Sequence, residues 1–306
     1  MGFRIIGIGE VLWDLLLTGP QLGGAPANFA YHAHALGAEA HIITRVGSDD
    51  RGREILRRFR DLGLRHSAVQ IDERAPTGTA TVALSGNGLA HFTIQDNVAW
   101  DYLLATEKAI ALASSADAIC FGSLAQRSES SRNAIQKSVA SSPVQALRVF
   151  DVNLRQRFYT RDVIERSLQL ANVLKLNDDE LPTLAAMFNL TGSTESQMES
   201  LARIFSLKVV ALTRGANGSL LCQDPEDTRW SDCVSDPVKV VDTVGAGDSF
   251  TAALVLGLLS KMDLDEINAV ANAVARYVCS QAGATPELPS EFARRLLVSE
   301  KLRRTS

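Results

Sequence analysis

Short apolar runs alternate with amphipathic stretches through most of the chain. Phe3 to Ile8 reads as a buried strand, and Pro26 to Leu36 as a helix with proline at its start and Gly37 closing it. Ala40 to Val46 is again strand-like, and Asp50 to Leu62 is helical up to Gly63. Further strands are predicted at Ala118–Phe121, Leu147–Val152, Val173–Leu176 and Val209–Thr213, with helical patterns between them. Strand and helix in alternation predict an α/β fold, a mostly parallel central sheet with helices on both faces.

One segment breaks this rhythm. Thr79–Leu84 and Ala90–Ile94 are β-rich and are joined across Ser85-Gly86-Asn87-Gly88, where glycine and asparagine supply the positive φ of a tight hairpin turn. A second β-leaning piece runs from Val11 to Leu17. Together they predict a small β lid, with segments at about 11–22 and 77–97, on a single domain spanning 1–306. Neither an internal repeat nor a linker divides the chain.

Composition narrows the class. The 306 residues are 46% apolar and 22% charged, enough apolar material for a large core and too little charge imbalance for disorder. The net charge is −4, and basic pairs such as Arg57-Arg58 stay isolated, which argues against a nucleic-acid partner. Because no stretch approaches the ~18 apolar residues of a membrane span, no membrane partner is expected. The first residues lack the ordered regions of a signal peptide, so the cytoplasm follows by elimination. Cys120, Cys222, Cys233 and Cys279 form no C-x-x-C pair and read as free thiols of a reducing compartment.

The strongest chemical signal is Val240-Val241-Asp242-Thr243-Val244-Gly245-Ala246-Gly247-Asp248-Ser249-Phe250, followed by an apolar helical run from Thr251 to Leu259. Glycines before a helix leave backbone N–H groups bare at its positive end, a setting for phosphate. An aspartate inside such a turn makes chemical sense if it faces an attacking hydroxyl and accepts its proton. The same pattern also fits a Gly-rich turn with a capping aspartate. Other signals fail: Gly7-Ile8-Gly9-Glu10 lacks the third glycine of a dinucleotide fingerprint, and no G-x-x-x-x-G-K-[ST] loop occurs. His32 and His34 stand two apart on a predicted helix, cannot share a face as metal ligands, and read as ordinary helix residues.

The wider pattern resembles the ribokinase-like carbohydrate kinases of the PfkB family. The 240–250 motif is similar to their C-terminal signature, and Leu22-Gly23-Gly24-Ala25-Pro26-Ala27-Asn28-Phe29-Ala30 to their first. The two lie more than 200 residues apart and in the family's order. The resemblance implies a ribokinase-like fold and an ATP-dependent sugar kinase using Mg2+ and, in some members, K+. It implies Asp248 as catalytic base, with the Gly245, Ala246 and Gly247 backbone as the anion hole. It implies sugar contacts from Asp14, Gly23, Gly24 and Asn28; for Asn28 the competing reading is a helix residue facing solvent. Asn177-Asp178-Asp179-Glu180 resembles the motif associated with magnesium and phosphate, Glu180 reaching Mg2+ partly through water, although asparagine and acids equally suit a helix start. Asn153 and Arg155 follow a strand end and are candidates for sugar or phosphate contact. Thr213, Asn177, Gly215, Gly218 and Asn272 are candidates for nucleotide contact. Asp242, Val244 and Gly283 resemble a monovalent-cation loop.

Glu10-Val11-Leu12-Trp13-Asp14 and Asn97-Val98-Ala99-Trp100-Asp101 look most like bacterial fructokinases, implying fructose as acceptor and fructose 6-phosphate as product. Ribose, 2-keto-3-deoxygluconate, tagatose phosphate and nucleosides stay open as alternatives, with specificity resting on lid side chains such as His91, Phe92 and Gln95. A catalytically silent sugar-binding sensor is the alternative of another class. The resemblance also implies a homodimer through the lid strands.

Overall fold

The computed structural model describes residues 2–16, 19–84, 90–224 and 227–303. The expected Ser85–Gly88 turn lies outside the described residues, as do Leu17 and the side chains of His91 and Phe92. The strands are β1 Arg4–Ile8, β2 Leu12–Leu16, β3 Gly19–Gly23, β4 Glu39–Ile43, β5 Arg45–Gly47, β6 Gln70–Asp72, β7 Gly78–Leu84, β8 Ala90–Ile94, β9 Ala118–Phe121, β10 Leu147–Asp151, β11 Val173–Asn177, β12 Val209–Thr213, β13 Ser219–Gln223 and β14 Arg229–Cys233. The helices are α1 Ala25–Ala35, α2 Asp50–Asp61, α3 Glu107–Ala113, α4 Glu129–Ala140, α5 Arg161–Leu170, α6 Glu180–Phe188, α7 Thr194–Phe205, α8 Ala246–Leu259, α9 Leu264–Cys279 and α10 Ser290–Arg303.

The large sheet runs β14-β13-β12-β11-β10-β9-β1-β4 and is parallel from β12 to β4. Antiparallel β13 and β14 extend it beyond β12. Successive strand residues divide between two apolar layers, as the pleat requires. Ile6, Ile8, Ile119, Phe121, Leu174 and Leu176 pack with residues of α3 to α7 on one face. Ile5, Ala118, Cys120, Val149 and Val173 pack with α1, α8 and α9 on the other. Burial on both faces explains why these strands read as near-continuous apolar runs.

β2, β3, β7 and β8 form the smaller sheet, in the order β3-β2-β7-β8. The strand-like run from Ala40 to Val46 divides: β1 ends at Ile8 opposite Ile43, and the chain then leaves to pair Arg45–Gly47 with β6. β3 falls in the lid segment expected at about 11–22 but was not read as a separate strand, since it carries glycine and Pro20; it is an edge strand, where a missing N–H is tolerated. β14 is also an edge, half polar in sequence. Cys120 and Cys222 are buried and Cys233 and Cys279 half-buried, all four free.

Arg127 fastens the smaller sheet to the larger. Its guanidinium is nearly buried, makes a two-pronged ion pair with Asp101 at 2.8 and 2.7 Å, and donates to the Gln95 carbonyl beyond β8. It sits 4.0 Å from the Trp100 ring centre and 4.6 Å from that of Phe158. Removing one partner strands a buried carboxylate, so Arg127→Met is expected to cost about 3–5 kcal/mol. Urea unfolding measures it; a loss below about 1 kcal/mol would mean that Asp101 finds other partners.

Candidate active site

The chain reverses its direction of travel across the sheet at β1, which has β4 on one side and β9 on the other. Such a switch point opens a crevice beyond the carboxyl ends of the strands. Glu10, Ser123, Asp151 to Arg155 and Asn177 follow or close β1, β9, β10 and β11 there. α8 begins over the same crevice, five residues earlier than the apolar run from Thr251 implied.

Gly245 caps α8 in the left-handed region at φ 80°, and a side chain there would run into the Ala284 backbone. The first-turn N–H groups of α8 have no acceptor within the helix, and the positive end of the dipole adds to them. Residues 245–247 thus fit an anion cradle. Asp248 lies in this first turn and is 9% exposed. Its Oδ2 accepts a 2.9 Å hydrogen bond from Asn28 Nδ2. Burial, and next the charge of Asp151, push the Asp248 carboxyl up to about 7, against the opposing pull of Asn28, Lys175 and Arg155.

Asn28 is 4% exposed, so it does not face solvent. Gly24, at φ 116°, precedes α1, and its missing side chain lets the turn close over the Glu10 carbonyl. Gly23 is glycine for a plain reason: a side chain there would occupy the place of Asp14 Oδ2. Half-buried Asp14 has its carboxyl raised to about 6 by burial, with Arg155 opposing. Arg155 donates to Asn153 Oδ1 at 3.1 Å and to the Leu154 carbonyl. Asn153 is itself left-handed at φ 46°, and its buried Nδ2 has no partner. An unpartnered buried amide beside an exposed guanidinium suits a hydroxyl-rich ligand.

Glu180 opens α6 and is buried. Its two oxygens accept from the N–H groups of Leu154 (3.0 Å) and Asn177 (2.9 Å), while Asn177 Oδ1 accepts from the N–H groups of Asp179 and Glu180. The motif is therefore a helix start and a strand-to-strand tie at once. Among the described residues no three acidic, histidine or cysteine side chains converge to hold a metal. Glu180, a single buried carboxylate, is the side chain that would hold a magnesium ion kept mostly by waters and phosphate. Asp242 joins two loops by accepting from the N–H groups of Val244 (3.0 Å) and Gly283 (3.1 Å). The three candidate monovalent-cation residues are thereby neighbours.

Thr213 closes β12, donating to the Leu176 carbonyl at 3.3 Å. Gly218 must be glycine because it packs against the Cys233 carbonyl, whereas Gly215 borders open space. Asn272 is fixed to this turn: its Nδ2 donates to Ser219 Oγ at 2.6 Å. Gln95 is exposed and accepts from Thr79 Oγ1 at 2.8 Å.

Three buried groups were given no part in the site from sequence. Glu10 closes against the Ala25 and Ala125 N–H groups with one oxygen unpartnered. Lys175 Nζ donates to Asp151 Oδ1 at 3.1 Å. His32 is fully buried on α1 with Nε2 2.9 Å from the Ala284 carbonyl, and burial holds its pKa down at about 4. It is therefore a tie to the Ala284 segment rather than an ordinary helix residue. A lysine in the run Val173–Leu176 was the legible clue, since buried lysines are rare without a partner.

The fold and this crevice suit a small-molecule phosphotransferase. Residues 19–291 match the pfkB family of carbohydrate kinases, and the chain belongs to that family. It is 28% identical over 299 residues to the sugar kinase PH1459 of Pyrococcus horikoshii, covering 92% of this chain and 91% of that one. It is 29% identical over 310 residues to a fructokinase of Solanum tuberosum, covering 94% and 93%. Among solved structures, a fructokinase with bound ATP from Xylella fastidiosa superposes with a TM-score of 0.84 at 20% identity, covering 98% of this chain and 100% of that chain. The fold is ribokinase-like: a mostly parallel sheet between helical layers, with a small β lid. The chain is a sugar kinase. No helix among the described residues is long and apolar enough to cross a membrane.

Proposed function

We propose that this kinase transfers the γ-phosphoryl of ATP to fructose, giving fructose 6-phosphate, with Asp248 as general base. The observation that carries the reading is the placement of Asp248. A buried carboxylate with elevated proton affinity stands in the same helical turn as N–H groups that have no acceptor within the helix. A hydroxyl oxygen between the two can lose its proton to Asp248 while it attacks the γ-phosphorus. The bond from that phosphorus to the bridging oxygen breaks and ADP leaves; the N–H groups of 245–247 take the charge developing on the phosphoryl oxygens. Asp14, Asn28, Asn153 and Arg155, with the bare backbone at Gly23 and Gly24, hold the sugar. Asn177, Thr213, Gly215, Gly218 and Asn272 flank the nucleotide.

Magnesium, when bound, neutralises the phosphate oxygens; Glu180 holds it through water. Asp242, Val244 and Gly283 form a monovalent-cation loop for K+. Support comes from a structure of PH1459 in complex with ATP and from the fructokinase names among the relatives. The smaller sheet closes over the sugar and excludes water as a competing acceptor. Its edge strands β3 and β8 pair with a second copy to form a homodimer.

The acceptor is tested by ADP release across fructose, ribose, 2-keto-3-deoxygluconate and nucleosides, with the product read by phosphorus NMR. Fructose-dependent turnover to the 6-phosphate is expected. Turnover with another acceptor alone removes fructose from the reading, and tight sugar binding with no turnover favours a sensor. Asp248 accepts a proton only when ionised, so kcat/KM falls as pH drops through about 7, tenfold per unit. A profile flat down to pH 5 contradicts Asp248 as the base.

A further inference from the structure

Two buried carboxylates, Asp151 and Asp248, act on one another beneath the crevice, and a buried cation, Lys175, stands with them. Lys175 is 3% exposed in the middle of β11, flanked by Leu174 and Leu176. Its ammonium donates to Asp151 Oδ1 at 3.1 Å. The other oxygen of Asp151 takes a 2.9 Å hydrogen bond from Thr251 Oγ1, which also lies 2.9 Å from the Gly247 carbonyl. Lys175, Asp151 and Thr251 thus link β11 and β10 to the first turn of α8. The contact is tight: a side chain at Gly247 would stand 3.0 Å from Lys175 Nζ. Burying a lysine costs several kcal/mol unless it is paired, and an apolar residue would complete this strand without that cost.

We infer that Lys175 is a positioning residue for phosphoryl transfer: its ammonium, clamped by Asp151 under the α8 turn, balances the buried negative charge beside Asp248 and fixes the Gly247 backbone. The inference rests on Asp248 being the general base. The groups around Asp248 are few. β9 presents the Cys120 thiol, β10 Asp151, β11 Lys175, the turn after β10 Arg155, and α1 the uncharged Asn28, while Glu180 of α6 acts on Lys175. α9 meets α8 through apolar groups such as Ile267 against Gly257. Burial works against the charge on Lys175, yet Asp151, Glu180 and Asp248 outweigh it, and its pKa is raised. The lysine therefore stays cationic across the working range. Asp151 raises the proton affinity of Asp248 more than Lys175 lowers it.

The test is the pH profile of kcat/KM, with whichever sugar the kinase turns over, for Lys175→Met, Asp151→Asn and the double variant, with Asp248→Asn alongside. Removing the ammonium moves the acid limb to higher pH. With each profile normalised to its own plateau, a shift of one unit lowers kcat/KM at pH 6 about tenfold below wild type. Removing the Asp151 charge moves the limb to lower pH, and the double variant falls between wild type and Asp151→Asn. A purely structural lysine lowers the melting temperature and the plateau but leaves the limb where it is. Folded variants that all keep the wild-type limb overturn the inference. If Lys175→Met fails to fold, Asp151→Asn and the double variant decide it, because their limbs must still move down in that order. Undiminished kcat in Asp248→Asn instead refutes the general-base reading, a separable failure.

Discussion

Asp248→Asn lowers kcat for sugar phosphorylation by about 10²–10⁴-fold, the range a positioned general base supplies. Asparagine keeps the shape of the side chain and still meets Asn28, so sugar and nucleotide binding stay within a few-fold and the loss falls on kcat. The same substitution makes the protein more stable at pH 8. The sign follows from linkage. The folded carboxyl titrates at about 7, against 3.8 for the ordinary group, so folding disfavours its ionised form. That unfavourable contribution is absent below the unfolded pKa, grows through pH 4–7 and is complete above 7. Three units correspond to at most about 4 kcal/mol, so at pH 8 the variant gains up to that amount and at pH 4 little. Melting curves at the two pH values measure it. A variant equally stable to wild type at both would show that Asp248 is ionised without strain.

Gly245→Ala has the second large effect, on stability and rate together. An L-residue at φ 80° costs about 1–2 kcal/mol, and the added carbon meets the Ala284 backbone. Backbone cannot give way as a flexible side chain can, so the first turn of α8 must move. Donors displaced from the phosphoryl oxygens cost about 10²–10³ in kcat. Gly192→Ala, in the exposed turn between α6 and α7, is the control: its φ of 94° is also positive, but its nearest neighbour is the Ser196 side chain rather than backbone. It loses only the conformational term and keeps most of its activity. Comparable losses in both variants would mean that strain, not the close approach to Ala284, governs the turn.

The parallel strands were the legible part of the fold. β9 and β12 coincide with the apolar runs read from sequence, and β1, β10 and β11 differ by one residue at an end, because strands buried on both faces leave an unbroken apolar signal. β3, β6 and β14 were invisible for the opposite reason: they lie at edges or in a two-stranded pair, where polar residues, glycine and proline are tolerated. Of the site, the Gly245–Asp248 turn and the Gly23-Gly24…Asn28 segment could be read locally. That Asn28 bonds Asp248 across 220 residues could not, because only the packing of α1 on α8 creates the contact. Lys175 was in view as a polar residue in an apolar run, but its partner Asp151 lies on the neighbouring strand.

The central claim is that Asp248 and the turn before it carry phosphoryl transfer to a sugar. The direct measurement is fructose-dependent ADP release with saturating ATP and magnesium at pH 8, for wild type and Asp248→Asn. The account predicts steady turnover that requires the sugar in wild type, and at least a hundredfold loss in the variant with sugar affinity retained. Equal turnover in the two proteins would contradict it.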